Sequence, residues 1–107
     1  MDLIKNEYNV ILDRKNKKEE GSYTAYLFEQ GIDKILKKVG EECTEMVIAA
    51  KNNDKEETVY EVTDLIYHTL VMMANQGITP EDIEEELQKR AAKRGNLKQF
   101  HQVDKNS

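Results

Sequence analysis

Apolar residues recur every three or four positions along most of the chain, which is the spacing of one face of an α-helix. A short amphipathic helix is predicted from Asp2 to about Leu12. The clearest pattern runs from Ile32 to Lys51, and its apolar positions are Ile32, Ile35, Leu36, Val39, Cys43, Met46, Val47 and Ala50. Because Cys43 lies inside this pattern, we expect it to be a buried, inert thiol.

Capping residues separate three further segments, which cover residues 22–30, 54–76 and 79–93. The first begins at Ser22 and is rich in aromatic residues, so it can be a short helix or an ordered loop. The second begins at Asp54, and its second half is apolar on nearly every side. That half should lie in the middle of a bundle or at a subunit interface.

Two segments have too few apolar residues to pack. Residues 14–21 contain none, so we expect a mobile loop there. Residues 96–107 form a C-terminal tail outside a domain that covers residues 1–95, and the tail can be partly disordered. The prediction is an all-α bundle of four or five helices. So small a bundle with so much apolar surface should be completed by a homodimer or a higher assembly.

Composition narrows the class further. One Pro and five Gly are too few for the frequent turns of a β-rich protein. A net charge of −5 argues against a nucleic-acid-binding protein, which would carry a basic surplus. No apolar run is long enough for a membrane span and the first residues do not resemble a signal peptide, so we expect a cytoplasmic protein. The single Cys excludes disulfides within the chain and cysteine-cluster metal sites.

Five acidic residues on two neighbouring predicted helices form the main chemical pattern. Glu41, Glu42 and Glu45 form Glu-Glu-x-x-Glu, and Glu61 and Asp64 form Glu-x-x-Asp. Glu42 and Glu45 share a helix side, as do Glu61 and Asp64, so antiparallel packing would bring four carboxylates together. A divalent cation would relieve their repulsion, and Mg²⁺ is the natural choice because it prefers oxygen ligands.

A second interpretation of these acids is a solvated helix face. Acids at this spacing are common in a chain that is 35% charged, and Lys37, Lys38 or Lys51 can form salt bridges with them. A site is favoured because the acids border apolar positions on both helices.

The run of residues 34–51 followed by residues 61–68 closely resembles the phosphoribosyl-ATP pyrophosphohydrolases of histidine biosynthesis. These enzymes belong to the MazG-like group of all-α nucleoside triphosphate pyrophosphohydrolases. The upstream residues 21–29 also look like that family, and the likeness spans about residues 3–90. The two acidic motifs alone indicate only the wider group, whereas the Ser-Tyr-Thr and Lys-Val-Gly-Glu-Glu runs narrow it.

The resemblance implies hydrolysis of phosphoribosyl-ATP to phosphoribosyl-AMP and pyrophosphate by metal-activated water. It implies Mg²⁺ ligands at Glu42, Glu45, Glu61 and Asp64. Glu41 looks like an accessory acid that completes a second metal site or orients the water, so the catalytic set is Glu41, Glu42 and Glu45. One or two metal ions are compatible with the sequence.

Cationic and hydroxyl side chains near the acids are candidates for substrate binding: Lys38, Lys34, Lys51, Ser22, Tyr23 and Thr24. Lys38 projects on the same side as Glu42 and Glu45, so it is the first candidate for a phosphate contact. The hydroxyls can donate to phosphate or ribose, or they can form a capped helix start with packed aromatic rings. His68, one turn after Asp64, fits a hydrogen-bonded supporting role better than a magnesium ligand.

Two other functions remain open at this point. One is a house-cleaning pyrophosphohydrolase of the same fold that acts on ordinary or damaged nucleoside triphosphates. The other is a non-catalytic helical interaction module with an acidic docking face.

Overall fold

A computed structural model describes residues 2–17 and 19–94, and it contains five helices with no strand in that part of the chain. The helices are α1 (Asp2–Asn16), α2 (Tyr23–Gln30), α3 (Ile32–Lys51), α4 (Lys55–Gln76) and α5 (Pro80–Ala92). The predicted all-α fold is confirmed. The predicted tail, residues 96–107, lies outside the described residues.

Side-chain caps set the helix starts where the sequence predicts them. The Asp54 carboxylate accepts a hydrogen bond from the backbone N–H of Glu57 at 3.1 Å, which begins α4. Thr79 and Asp82 cap each other's backbone N–H groups in a capping box that begins α5. Gly77 ends α4 with φ at 75°, a left-handed conformation that glycine adopts without strain.

The aromatic-rich segment is a short helix. The Ser22 hydroxyl accepts a hydrogen bond from the Ala25 N–H at 3.1 Å and caps α2. Gly31, with φ at 94°, is the single residue between α2 and α3. Its positive φ allows the chain to change direction within one residue.

The first helix is longer than predicted, and the prediction that a mobile loop begins at Arg14 is wrong. Arg14 and Lys15 belong to the last turn of α1. The Lys15 ammonium donates to the backbone oxygen of Ala74 at 2.9 Å, and the Arg14 guanidinium pairs with the Glu19 carboxylate at 2.9 Å. These polar contacts therefore stabilise the last turn of α1, although residues 14–16 include no apolar side chain that could be buried.

α4 contacts α1, α2 and α3, and its second half contributes four residues to the core of the bundle. The hydrophobic core consists of Tyr8, Ile11, Leu27, Ile35, Leu70, Val71, Met73 and Ala74. The Tyr8 hydroxyl also donates to the backbone oxygen of Ile78 at 2.7 Å, which joins α1 to the turn after α4. This packing confirms the central position predicted for the apolar half of α4.

The buried face of α3 is rotated away from its apolar stripe and shares Ile35 with it. The buried residues are Ile35, Glu42 and Ala49, spaced seven apart, whereas Cys43 is exposed. The prediction of a buried Cys43 is therefore wrong. The side of α3 that carries Glu42 faces α4. In this orientation much of the apolar stripe faces outward.

None of the five helices in the described ranges is both long and apolar enough to cross a membrane.

Candidate functional site

The site lies on the α3–α4 pair, two long helices joined by the short turn around Asn53. Glu45 and Glu61 are each eight residues from Asn53 along the chain, and Glu42 and Asp64 are each eleven. In an antiparallel pair, positions equally far from the turn lie opposite one another. Thus the two acidic motifs meet at the same level of the pair.

Three carboxylates form a tight cluster, which we call the acid cluster: Glu42, Glu45 and Glu61. One oxygen from each lies within 4.8 Å of the others. Glu42 and Glu61 are only 6% and 7% exposed, while Glu45 is open to solvent. The cluster therefore has a buried base and an exposed side from which a ligand can enter.

Two buried oxygens of the acid cluster are left without a hydrogen-bond partner among the described residues: Glu42 Oε2 and Glu61 Oε1. An unsatisfied buried carboxylate oxygen costs free energy, because it has lost its water without gaining a donor. Such atoms are rare in folded proteins and indicate an ion, a proton or a water at that place.

Electrostatics favour a protonated Glu61 in the metal-free protein. Burial, which is the largest cause, hydrogen bonding with Glu42 and Glu45, and repulsion from their charges together raise the pKa of Glu61 from 4.5 to about 8. Ionisation of the third carboxyl group is therefore unfavourable at neutral pH, as it is for any close group of carboxylates without a cation.

The acid cluster fits a magnesium ion by the chemistry of its donors. All three ligand groups are carboxylates, and hard divalent cations prefer oxygen ligands. The two orphaned oxygens, Glu42 Oε2 and Glu61 Oε1, would gain a partner of opposite charge.

The other two predicted acids lie beside the cluster. Asp64 is half-buried and outside the group of three described carboxylates that meet within 4.8 Å. Its negative charge is close enough to raise the pKa of Tyr23. Glu41 is exposed and pairs with the Lys38 ammonium at 3.5 Å. Their roles as ligand and accessory acid stay predictions.

Lys38 is the lysine that the structure places beside the acids. Partial burial is the largest influence and lowers its pKa, but the interactions with the Tyr23 hydroxyl and with the carboxylates of Glu41 and Glu42 together outweigh burial and raise the pKa overall. The Lys38 ammonium is therefore close enough to interact electrostatically with Glu42 of the acid cluster. Such a group can meet a phosphate oxygen at the edge of the site.

Lys34 and Lys51 are further away along α3. At the rise of a helix, Lys34 lies about 12 Å before Glu42, and Lys51 lies about 9 Å beyond Glu45 on a different side. Lys51 is exposed in the last turn of α3, where it complements the helix dipole. Their contact with substrate stays a prediction.

The three predicted hydroxyl groups at the start of α2, those of Ser22, Tyr23 and Thr24, already have partners. Ser22 caps α2, and Thr24 forms a hydrogen bond with the Tyr67 hydroxyl. The Tyr23 hydroxyl lies 3.1 Å from Nε2 of His68. The interpretation as a capped helix start is confirmed for Ser22, while Tyr23 remains half-exposed at the edge of the site.

Sequence reasoning missed Tyr67. It counted this residue within the apolar run of α4, but the structure places its ring against Tyr23 and His68, with centroids 6.3 and 4.9 Å away. A sequence signal did exist, because Tyr67 and His68 follow Asp64 by three and four residues and so share its side of the helix.

Together, the fold and the site define a class: an all-α bundle whose central helix pair carries facing Glu-Glu-x-x-Glu and Glu-x-x-Asp motifs. Residues 5–91 match the sequence model of the phosphoribosyl-ATP pyrophosphohydrolase family. The chain belongs to this family, as the resemblance implied.

Several relatives match nearly the whole chain. It is 57% identical to the phosphoribosyl-ATP pyrophosphatase of Clostridium novyi over 98 residues, which is 92% of this chain and 89% of that protein. It is 59% identical to the phosphoribosyl-ATP pyrophosphatase of Clostridium acetobutylicum over the same shares. It is also 61% identical over 84 residues to a histidine biosynthesis bifunctional protein of Thermoanaerobacter pseudethanolicus, covering 78% of this chain and 39% of that protein.

Proposed function

We propose that this chain hydrolyses phosphoribosyl-ATP to phosphoribosyl-AMP and pyrophosphate with the help of Mg²⁺. Membership of the family and the names of its relatives support the substrate. The observation that carries the magnesium dependence is the acid cluster, in which Glu42 and Glu61 each bury a carboxylate oxygen without a partner.

In this proposal Glu42, Glu45 and Glu61 hold the metal, and Asp64 on the same side of α4 completes the ligand set. Bound Mg²⁺ would lower the pKa of a coordinated water and neutralise the charge of the leaving pyrophosphate. The buried positions of Glu42 and Glu61 fix their side chains before substrate arrives. Exposed Glu45 keeps one side of the site open.

The remaining residues orient the reactants. Glu41 is exposed beside the cluster, where its carboxylate can accept a proton from the attacking water or support a second metal. In this proposal Lys38 binds the phosphate chain, and Lys34 and Lys51 are more distant cations. When a phosphate binds, Lys38 would exchange its pairing with Glu41 for the substrate.

Pyrophosphate release from phosphoribosyl-ATP tests the proposal, measured with Mg²⁺ and with EDTA, and with ATP and dCTP as control substrates. Metal-dependent release from phosphoribosyl-ATP alone is the expected result. Release from ATP or dCTP would support a house-cleaning enzyme instead. Release from none of them would contradict the proposal and favour an interaction module, whose Mg²⁺ binding would be weak and would not saturate.

We also propose that the protein works as a homodimer. Apolar side chains stay more than 40% exposed on α3, α4 and α5, namely Leu36, Val47, Ile48, Val59, Tyr60, Ile66, Ile83 and Leu87. None of the described α5 side chains is buried. A groove of about 390 Å³ between α1, α4 and α5 is lined mainly by apolar residues such as Leu65, Ile66 and Leu87.

So much exposed apolar surface is typical of an interface, and a second copy would cover it. Light scattering after size exclusion should give twice the chain mass at micromolar concentration. A monomer at that concentration would contradict the assembly but not the activity.

A cytoplasmic location is proposed because the substrate is built from ATP, and recovery of the protein in the cell envelope would contradict it.

A further inference from the structure

His68 is a buried ring whose two nitrogens both have partners, and it belongs to neither acidic motif. It is 5% exposed. Its Nδ1 lies 2.9 Å from the backbone oxygen of Asp64, one helical turn earlier, and its Nε2 lies 3.1 Å from the Tyr23 hydroxyl. The ring therefore links α4, at the level of the acidic motif, to the first residue of α2.

The direction of these two hydrogen bonds follows from the chemistry of the partners. A backbone carbonyl oxygen can only accept, so Nδ1 carries the hydrogen. In the neutral ring the other nitrogen, Nε2, is then an acceptor, and the Tyr23 hydroxyl must donate to it. The hydroxyl hydrogen of Tyr23 is thus committed to His68, and its oxygen presents lone pairs outward.

Ring packing holds Tyr23 in this orientation. Its ring meets His68 edge-on, with centroids 5.9 Å apart and planes at 85°. It is also stacked at 6.2 Å from Tyr26 and at 6.3 Å from Tyr67. Tyr67 is fixed in turn by its hydrogen bond to Thr24. Tyr23 is still 46% exposed, so its outer edge can contact a ligand.

The hydrogen bond to His68, whose Nδ1 contacts the backbone oxygen of Asp64, places the Tyr23 hydroxyl at the level of the Glu61–Asp64 motif. In agreement, burial is the largest influence on the pKa of Tyr23 and raises it, Lys38 lowers it, and Glu42 and Asp64 raise it. A phosphate oxygen is itself an acceptor and gains nothing from an oxygen that has given its hydrogen away. A ribose hydroxyl, which can donate, is the complementary substrate group.

We propose that His68 is a positioning residue that fixes the Tyr23 hydroxyl as a hydrogen-bond acceptor for a ribose hydroxyl of the nucleotide substrate. This inference rests on the proposed function, because it assigns the substrate group that binds beside the acid cluster. The sequence predicted that the Tyr23 hydroxyl donates a hydrogen bond to phosphate or ribose. The inference changes this role, because the hydroxyl oxygen now accepts a hydrogen bond from ribose.

Two substitutions of His68 separate its two hydrogen bonds. His68→Asn can keep a donor near the position of Nδ1 but does not reach Tyr23. His68→Gln can place its amide oxygen near the position of Nε2 and accept the Tyr23 hydrogen. Tyr23→Phe removes the hydroxyl and keeps the ring, so it is the reference for loss of this group.

Steady-state pyrophosphate release from phosphoribosyl-ATP gives the main measurement. Tyr23→Phe and His68→Asn should each raise KM about tenfold, the loss of roughly one good hydrogen bond, while kcat stays within about twofold. His68→Gln should stay within about threefold of wild type. The double variant Tyr23→Phe with His68→Asn should be no worse than either single change, because both remove the same interaction.

Competition by nucleotides identifies the substrate group. AMP should inhibit the wild type more strongly than 2′,3′-dideoxy-AMP, and the Tyr23→Phe and His68→Asn variants should lose that preference. Additive effects in the double variant would overturn the proposal, as would equal losses in His68→Gln and His68→Asn or a wild type that does not distinguish the two nucleotides. A wild type that releases no pyrophosphate would contradict the proposed function itself.

Discussion

The two ends of the α3–α4 pair are built in opposite ways. At the end near α2, Ile35 of α3 and Val71 of α4 are fully buried in the hydrophobic core. At the end near the Asn53 turn, the buried side chains are Glu42, Glu61 and the small Ala49, whereas Val47, Ile48, Val59 and Tyr60 are exposed. The helix pair thus buries large apolar side chains at one end and two carboxylates toward the other.

This difference separates stability from function. Burial of apolar side chains at the core end favours folding in proportion to the area removed from water. Burial of carboxylates without partners opposes folding, so the acid end is weaker in the metal-free protein. A bound cation would reverse that balance, so substitutions at the two ends should have different effects.

The largest effect should come from removing a ligand at the acid end. Replacement of Glu42, Glu45, Glu61 or Asp64 by Ala should lower magnesium-dependent turnover by about a hundredfold or more, because metal affinity and charge neutralisation are lost. Circular dichroism should show an intact fold, since each change relieves repulsion. A variant with near-wild-type turnover at low magnesium would remove that residue from the ligand set.

A core substitution should have the opposite profile, with lost stability and little change in chemistry. Ile35→Ala should lower the free energy of unfolding by about 3 kcal/mol, because it leaves a cavity beside α4. Leu3→Ala is the control, since Leu3 is 80% exposed, and it should cost less than about 0.5 kcal/mol. Urea unfolding measures both, and equal losses would contradict the assigned core.

The lysines of α3 should differ by position. Lys38→Met should raise KM for phosphoribosyl-ATP about tenfold, because it removes a charge-assisted hydrogen bond worth roughly 1.5 kcal/mol. Lys51→Met removes a lysine from the same helix beyond the acid cluster and should change KM by less than about twofold. Similar KM values for the two variants would show that Lys38 does not bind the phosphate chain more strongly than Lys51 does.

Stability at the acid end should also depend on pH. Because burial and the neighbouring carboxylates of Glu42 and Glu45 together raise the pKa of Glu61 from its usual 4.5 to about 8, the metal-free fold holds a proton that the unfolded chain releases. Stability from this group is therefore complete below about pH 4.5 and is lost as pH rises through 8.

Thermal melting in EDTA at pH 5.5 and pH 8.5 measures this dependence. Wild type should melt lower at the higher pH, and Glu61→Gln should show a smaller difference between the two. Glu85→Gln, a change of an exposed acid on α5, should behave like wild type. Identical slopes in all three proteins would contradict the raised pKa.

Local signals explain why the helix limits and the acidic motifs were predictable. Asp54, Thr79 and Gly77 act on their own helix ends, so their effect does not depend on distant residues. The pairing of Glu42 and Glu45 with Glu61 required only helical spacing and a short turn.

Interactions between distant residues explain what the sequence did not reveal. The end of α1 depends on Lys15 reaching Ala74, fifty-nine residues away. The exposure of Cys43 depends on how α3 is rotated against α4, since a helix with apolar residues on several sides fits more than one rotation. The contact of Tyr67 with Tyr23 likewise appears only when α2 packs on α4.

If the acid end is built for a cation, its stability should depend on Mg²⁺ through Glu61, and a comparison of melting temperatures measures this dependence. Wild type and Glu61→Gln are melted at pH 7.5 in EDTA and in saturating Mg²⁺. We predict that the variant melts above wild type in EDTA and that Mg²⁺ raises only the wild-type value substantially, because a bound ligand stabilises the fold. A variant that melts below wild type in EDTA, or an equal magnesium shift in both proteins, would contradict the account.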